Sequence, residues 1–436
     1  MSRLRARTLL AVAAVCAVIA LVAAGVSVWA VATDAGRSAD AASVAGPPEA
    51  TASPGSRLTR TIGSPERTAD FSFGHTIGHL QPSPGAAIDA SMRLPFELGV
   101  NAGAFRVHVR NWQFDSEQVF DSPVTLTGLY VGKQREGGTE GLTGEFAGTP
   151  TGLVGTANLP AEGYVTEWID PSRFDLQART SYLLAVGFQA AAGATLATTP
   201  GISWLAVDGG GSARAPAAGV QGELGSLSYF DIWIEYSYAG DAPVLLSVGH
   251  SLNAPGNGDE AAFPTRGQKT SWPQQWALGN RAVAASMAAP GSQTPVFNPQ
   301  AAKWDEFAGI EPDIVTVWAA SNDIARGRPL ADIQRDWSAI LDTVHARWPD
   351  AVVYAMTEPP RSLGAAEEQT RLAWNDWLAG LPGGLDGLID ADRALRDPFA
   401  PSQLRSDVDA DGVHFNARGH ALIAQLLPAP RIDPAS

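Results

Sequence analysis

From residue 69 to about residue 240, apolar and polar positions alternate. Phe105, Val107 and Val109 interleave with Arg106, His108 and Arg110, and Phe230, Ile232, Ile234, Tyr236 and Tyr238 with Asp231, Trp233, Glu235 and Ser237. Successive side chains of a strand point to opposite faces, so period two predicts half-buried strands. Further β-like runs cover residues 124–131, 164–169, 182–188 and 202–207, with Gly, Pro, Asp and Ser clusters between them. Many short strands without an amphipathic helix predict an antiparallel β-sandwich over residues 68–240.

After Asp241 the pattern changes. Residues 244–248, 314–318 and 352–356 are short, continuous apolar runs, as expected of strands buried on both faces. Helical patterns separate them. Ile333, Trp337, Ile340, Leu341, Val344 and Trp348 fall on one face of a helix that Pro349 ends, and Leu372, Trp374, Trp377 and Leu378 lie in another. Strands alternating with helices predict a parallel α/β domain over residues 241–430. In such sheets the chemistry sits at the carboxyl ends of the strands.

The amino end differs from both. Arg3, Arg5 and Arg7 precede an uncharged apolar stretch over residues 9–32. A run of that length can span a bilayer, which takes roughly 20 residues. Arginines before it and none close behind predict an amino terminus in the cytoplasm and the remainder outside. Residues 1–33 are therefore expected to be a signal anchor, or a signal peptide cut after Ala30-Val31-Ala32, and the protein to be exported to the cell surface or beyond. Residues 34–67 are rich in Ala, Ser, Pro, Gly and Thr and predict a flexible tether. The one cysteine, Cys16, lies in the leader, so the exported part has no disulfide framework or thiolate metal site. A net charge of −15 argues against nucleic acid and anionic membranes as partners. Contact with a membrane is expected only through the amino-terminal segment.

Three residue groups carry candidate chemistry. Asp411-Gly412-Val413-His414 places a carboxylate three residues before an imidazole, a spacing that can share one face of a single helical turn. In that arrangement Asp411 can hold His414 in the tautomer that takes a proton from a serine. Gly249-His250-Ser251 ends an apolar run and supplies such a serine. Ser321-Asn322-Asp323 ends another and supplies a side-chain amide for an oxyanion.

These residues carry a resemblance. Residues from about 243 to 427 resemble the SGNH hydrolases, the GDSL-type esterases. The family's Gly-Asp-Ser block stands here as Gly249-His250-Ser251 and its Gly-x-Asn-Asp block as Ala320-Ser321-Asn322-Asp323. Its Asp-x-x-His block stands as Asp411-Gly412-Val413-His414. The resemblance implies a three-layer α/β/α domain in which Ser251 is the nucleophile, His414 the general base and Asp411 its orienting carboxylate. It implies an oxyanion hole from the Ser251 N–H, the Asn322 amide and one further backbone N–H. The best match to the family's Asn-x-Gly-x-x-Gly turn, Ser286-Met287-Ala288-Ala289-Pro290-Gly291, gives that role to Ala288, with Gly291 as the alternative. His250 replaces the usual Asp, either tuning the serine and contacting substrate or simply filling the space. Some exported bacterial members carry an amino-terminal jelly-roll sandwich, which residues 105–110 and 124–131 resemble. Such a domain binds carbohydrate, walls the cleft or is structural.

Other motifs are set aside. Asp407-Val408-Asp409-Ala410-Asp411-Gly412 opens like a calcium loop, but its twelfth position is Arg418 where a bidentate Glu is needed. His75 and His79 have a zinc-pair spacing without the intervening Glu of a zincin. Gly249-His250-Ser251-Leu252-Asn253 falls one residue short of a nucleophile elbow. Trp272, Trp276, Trp337 and Trp377 suggest sugar stacking, yet helical tryptophans are more often core. The expected protein is thus a serine esterase, without cofactor or metal, acting on short O-acyl esters of a small molecule or polysaccharide. An acyltransferase with the same triad and a non-catalytic carbohydrate binder are the alternatives.

Overall fold

The computed structural model describes residues 66–81, 86–137, 142–207, 210–219, 223–253 and 270–429, all within one compact unit, Glu49–Ser436. The leader, nearly all of the tether and residues 254–269 lie outside the described residues. Among the described residues no helix is long and apolar enough to cross a membrane.

The alternating region forms antiparallel sheets. Its longer strands are β1 (Arg67–Ser72), β2 (Ile88–Phe96), β3 (Phe105–Arg110), β4 (Val124–Glu136), β5 (Tyr182–Ala190), β6 (Leu196–Val207), β7 (Glu223–Tyr229) and β8 (Asp231–Tyr238). One sheet runs β1-β8-β3 and then Tyr164–Val165; a larger one carries β4-β5-β2-β6-β7. In β3, buried Phe105, Val107 and Val109 alternate with half-buried Arg106, His108 and Arg110, as period two predicts. The two sheets share a core in which the Phe71 ring of β1 lies 5.8 Å from Phe96 of β2.

The second region is a parallel sheet. Its strands are β9 (Val244–Gly249), β10 (Val283–Ala288), β11 (Ile314–Trp318), β12 (Val352–Met356) and β13 (Gly387–Ile389), in the spatial order β10-β9-β11-β12-β13. Every pairing is parallel. The helices that cover it are α1 (Trp272–Asn280), α2 (Ser321–Ala325), α3 (Leu330–Arg347), α4 (Ala365–Ala379) and α5 (Ala417–Leu426). Neighbouring strand residues face different layers. Leu245 and Ile314 pack with Trp272, Trp276 and Ile423 of α1 and α5. Leu246 and Val315 pack with Ile333, Trp337 and Trp374 of α3 and α4. Both faces are thus covered, which explains the uninterrupted apolar runs. The order reverses between β10-β9 and β9-β11, the switch point outside which doubly wound sheets open a crevice.

β10 would otherwise present an open edge, and the antiparallel region covers it. His75 Nε2 bonds the Ser286 carbonyl at 2.8 Å while its Nδ1 faces Asp231 at 3.1 Å. Both ring nitrogens of His75 are therefore engaged at the junction. Arg110 bridges Asp231 to Glu306 of the second region.

One group at this junction is unfavourably placed. Asp70 stands directly across from Glu235 in the β1–β8 ladder. Burial, reinforced by the charges of Glu235 and Glu306, pushes its carboxyl up to about 8. A raised folded-state value means the favourable, protonated state is complete below the unfolded value near 4 and is lost as pH rises through about 8. Asp70→Asn is expected to raise the melting temperature by several degrees at pH 8.5 and by much less at pH 4.5. Equal shifts at both pH values would show that Asp70 does not titrate in this way.

Candidate active site

β9 ends where a side chain would not fit. A Cβ on Gly249 would lie 1.9 Å from the Trp318 carbonyl oxygen and 2.1 Å from Asn253 Nδ2. Glycine alone allows the strand end to lie so close to β11. The turn through His250, Ser251, Leu252 and Asn253 is then fixed from three sides. Asn253 Nδ2 donates to the Trp318 carbonyl (3.1 Å) and Asn253 Oδ1 accepts from Trp272 Nε1 (3.2 Å). The Trp272 N–H in turn donates to His420 Nδ1 of α5 at 3.1 Å.

His250 is wholly buried, so it does not contact substrate. Its Nδ1 accepts the Leu252 N–H (3.3 Å), which leaves the proton on Nε2, facing Glu358 Oε1 at 3.5 Å. Glu358 also accepts from Trp318 Nε1 (3.1 Å) and the Ala320 N–H (3.0 Å). The two buried side chains tie the nucleophile turn to the end of β11.

The three residues expected to form a relay are together. His414 Nε2 lies 2.9 Å from Ser251 Oγ, and His414 Nδ1 lies 2.8 Å from Asp411 Oδ2. Asp411 and His414 do not share a helical turn, however. They sit in a bend in which Asp411 Oδ1 accepts the N–H groups of Val413 (2.9 Å) and His414 (2.7 Å), with Gly412 at φ 82°. The positive φ brings the two side chains together in three residues without helix. Burial raises the Asp411 carboxyl, but hydrogen bonds and charge from His414 and the backbone N–H groups outweigh it, leaving the pKa near 2. Asp411 is therefore ionised whenever His414 needs a counter-charge.

Asn322, in α2 beyond β11, donates one Nδ2 hydrogen to the Ser292 carbonyl (3.0 Å). Its Oδ1 accepts from Arg361 Nη1 at 3.2 Å, which orients the amide. A carboxamide has two N–H groups, so one remains for a ligand.

Ala288 does not fill the role expected of it. It is the last residue of β10 and fully buried. The next residue, Ala289, sends its N–H to the Gly249 carbonyl (3.2 Å), whereas the Ser286 carbonyl points the other way, to His75. Backbone groups of alternate strand residues point the same way. The Ala288 N–H therefore faces the sheet edge, away from Ser251. Gly291, in the turn beyond, precedes the Ser292 that Asn322 holds, and its N–H has no partner among the described residues. The Ser251 N–H is likewise unpaired.

The residues set aside as a calcium loop have other partners. Asp407 pairs with Arg405 and Arg418, and Asp409 Oδ1 accepts the N–H groups of Asp411 and Gly412.

A turn-borne serine, an Asp–His pair and a side-chain amide at adjacent carboxyl ends of a parallel sheet are the parts of an ester hydrolase. Residues 247–422, which hold all of them, match the model of the GDSL-like lipase/acylhydrolase family. This part of the chain belongs to that family and is the domain of a carboxylic ester hydrolase. No curated protein matches the chain. Among solved structures it is similar to a family two carbohydrate esterase from Cellvibrio japonicus, at 12% identity over 83% of this chain and 96% of that one, with a TM-score of 0.36. A family two carbohydrate esterase from Clostridium thermocellum, in complex with cellohexaose, shows 12% identity over 82% and 96%, TM-score 0.35. A carbohydrate acetylesterase family member from Sinorhizobium meliloti shows 17% identity over 42% and 94%, TM-score 0.33. Likenesses at these TM-scores carry no weight in assigning a substrate.

Proposed function

We propose that the protein is an exported serine esterase that removes short acyl groups, most simply acetyl, from the hydroxyls of a carbohydrate. The observation that carries this reading is the unbroken relay from Asp411 through His414 to Ser251, at 2.8 and 2.9 Å. Ser251 Oγ attacks the ester carbonyl as His414 Nε2 takes its proton. The carbonyl oxygen gathers negative charge beside the N–H groups of Ser251 and Gly291 and the free Asn322 N–H. When the tetrahedral species collapses, the carbon–oxygen bond to the alcohol breaks and His414 returns the proton to the leaving oxygen. Water, deprotonated by the same imidazole, then attacks the acyl-enzyme, and Ser251 leaves with the proton restored. In this reading residues 68–240 are a jelly-roll-like accessory domain and residues 1–33 direct export or anchor the chain in the membrane.

The choice of a short acyl group rests on the described surroundings of Ser251. Asn322, Ser292, Arg361 and Asp411 are polar or charged. A long chain gains affinity only by burying methylenes, at about 0.8 kcal/mol each. On p-nitrophenyl esters kcat/KM is expected to be highest from acetate to butyrate and to fall steeply by octanoate. A profile that rises to octanoate would indicate an apolar groove and overturn the carbohydrate reading while leaving the triad intact.

A further inference from the structure

Beside the catalytic apparatus lie two guanidinium groups, those of Arg326 and Arg361. Arg361 Nη1 donates to Ser321 Oγ (2.9 Å) and Asn322 Oδ1 (3.2 Å). Arg326 follows Asn322 by one helical turn, its N–H bonding the Asn322 carbonyl at 3.2 Å. Its side chain reaches Gln293 Oε1, next to the Ser292 that Asn322 holds. Both guanidinium groups thus flank Asn322, and among the described residues neither forms an ion pair with a carboxylate.

The chain carries a net charge of −15, and several neighbouring arginines are matched with acids. Arg328, two residues from Arg326, pairs with Asp323 and Asp336, and buried Arg371 pairs with Glu368 and Asp392. Arg361 is instead partly buried near a second cation. Burial lowers its pKa; the charges of Glu358 and Asp411 pull the other way, and the charge of Arg326 adds a smaller lowering. Two cations at one rim repel, and an anion between them relieves that repulsion. The planar guanidinium fork suits a carboxylate, which it binds through paired hydrogen bonds.

We propose that Arg326 and Arg361 form an anion-binding rim, and that the preferred ester carries a carboxylate on its alcohol portion, as in an O-acetylated acidic sugar. The inference rests on the esterase reading above. An acetyl group is too small to carry a charge of its own, so the carboxylate belongs to the sugar.

The test compares kcat/KM on acetyl esters of methyl glucuronoside and of methyl glucoside, with p-nitrophenyl acetate as a control. The parent is expected to favour the glucuronoside about tenfold or more, the usual worth of a hydrogen bond to a charged group. Arg326→Gln, on an exposed side chain, is expected to cut that ratio to within about threefold, mainly through KM, and Arg326→Lys to restore part of it. Raising NaCl to 0.5 M should narrow the parent's ratio toward that of Arg326→Gln. Equal rates on the two sugars, or a ratio that Arg326→Gln leaves unchanged, overturn the rim alone. So does hydrolysis of p-nitrophenyl acetate with neither sugar ester cleaved. Failure on all three substrates removes the esterase reading and the rim with it.

Discussion

Ser251→Ala is expected to abolish ester hydrolysis, lowering kcat by roughly a million-fold, the scale on which loss of a triad serine acts elsewhere. The reason is local. Ser251 is 6% exposed, held by a turn that Gly249 and Asn253 fix without using its hydroxyl. Its Oγ has the His414 imidazole as partner at 2.9 Å. Removing one oxygen therefore removes the nucleophile and leaves the packing of the turn in place. Melting temperature should stay within a few degrees of the parent. His414→Ala is expected to cost a similar factor, and the double variant little more, because the two groups act as one unit. A Ser251→Ala variant that hydrolyses an aryl acetate at the parental rate would place the nucleophile elsewhere.

Asn322→Ala carries the next largest effect. Its free N–H is proposed to meet charge that exists only in the transition state. Losing one such donor costs about 2.7–4 kcal/mol, or roughly 100- to 1,000-fold in kcat, with KM nearly unchanged. The same side chain also holds the Ser292 carbonyl at 3.0 Å, so part of any loss could come from movement of the turn that carries Gly291. The melting temperature separates the two effects, because movement of the turn lowers it and loss of the oxyanion donor alone does not. Asn322→Asp loses both N–H groups and adds negative charge where charge must develop, so it should be slower than Asn322→Ala. An alanine variant within threefold of the parent would make Asn322 a structural residue.

Much of this arrangement is legible in the sequence because it follows from short-range rules. Period two in residues 105–110 maps directly onto the burial of β3, and the face of Ile333, Trp337, Ile340, Leu341 and Val344 is the buried face of α3. Ser251 and Asn322 end apolar runs, and the strands under those runs are neighbours in the sheet. What the sequence hides depends on geometry that no spacing encodes. Ala288 fits a family turn by position, yet the direction of its N–H depends on which β10 residues bond to β9. Asp411 and His414 fit a helical turn by spacing, and Gly412 produces the same proximity through a bend. Arg371 shows the limit of periodicity: it is buried on α4 while its neighbour Leu372 is 45% exposed, because Glu368, Asp392 and the Glu358 carbonyl surround the guanidinium.

Two residues of the site, Glu358 and Arg361, are absent from the motifs altogether. A signal for them existed. Thr357-Glu358-Pro359-Pro360-Arg361 directly follows β12, and the carboxyl ends of parallel strands are where Ser251 and Asn322 also lie. Charged residues in that position fall under the same rule. Their roles were still out of reach, since Glu358 matters through a histidine that the family does not usually have and Arg361 through the oxygen of an amide.

In the proposed mechanism Ser251 is a nucleophile activated by His414. A fluorophosphonate probe reacts covalently with such a serine and not with an ordinary hydroxyl. The decisive measurement is labelling of the folded protein followed by peptide mapping. One modified residue is expected, Ser251, with labelling lost in Ser251→Ala and strongly slowed in His414→Ala. Labelling of a different residue, or none on a protein whose melting transition shows it folded, would contradict it.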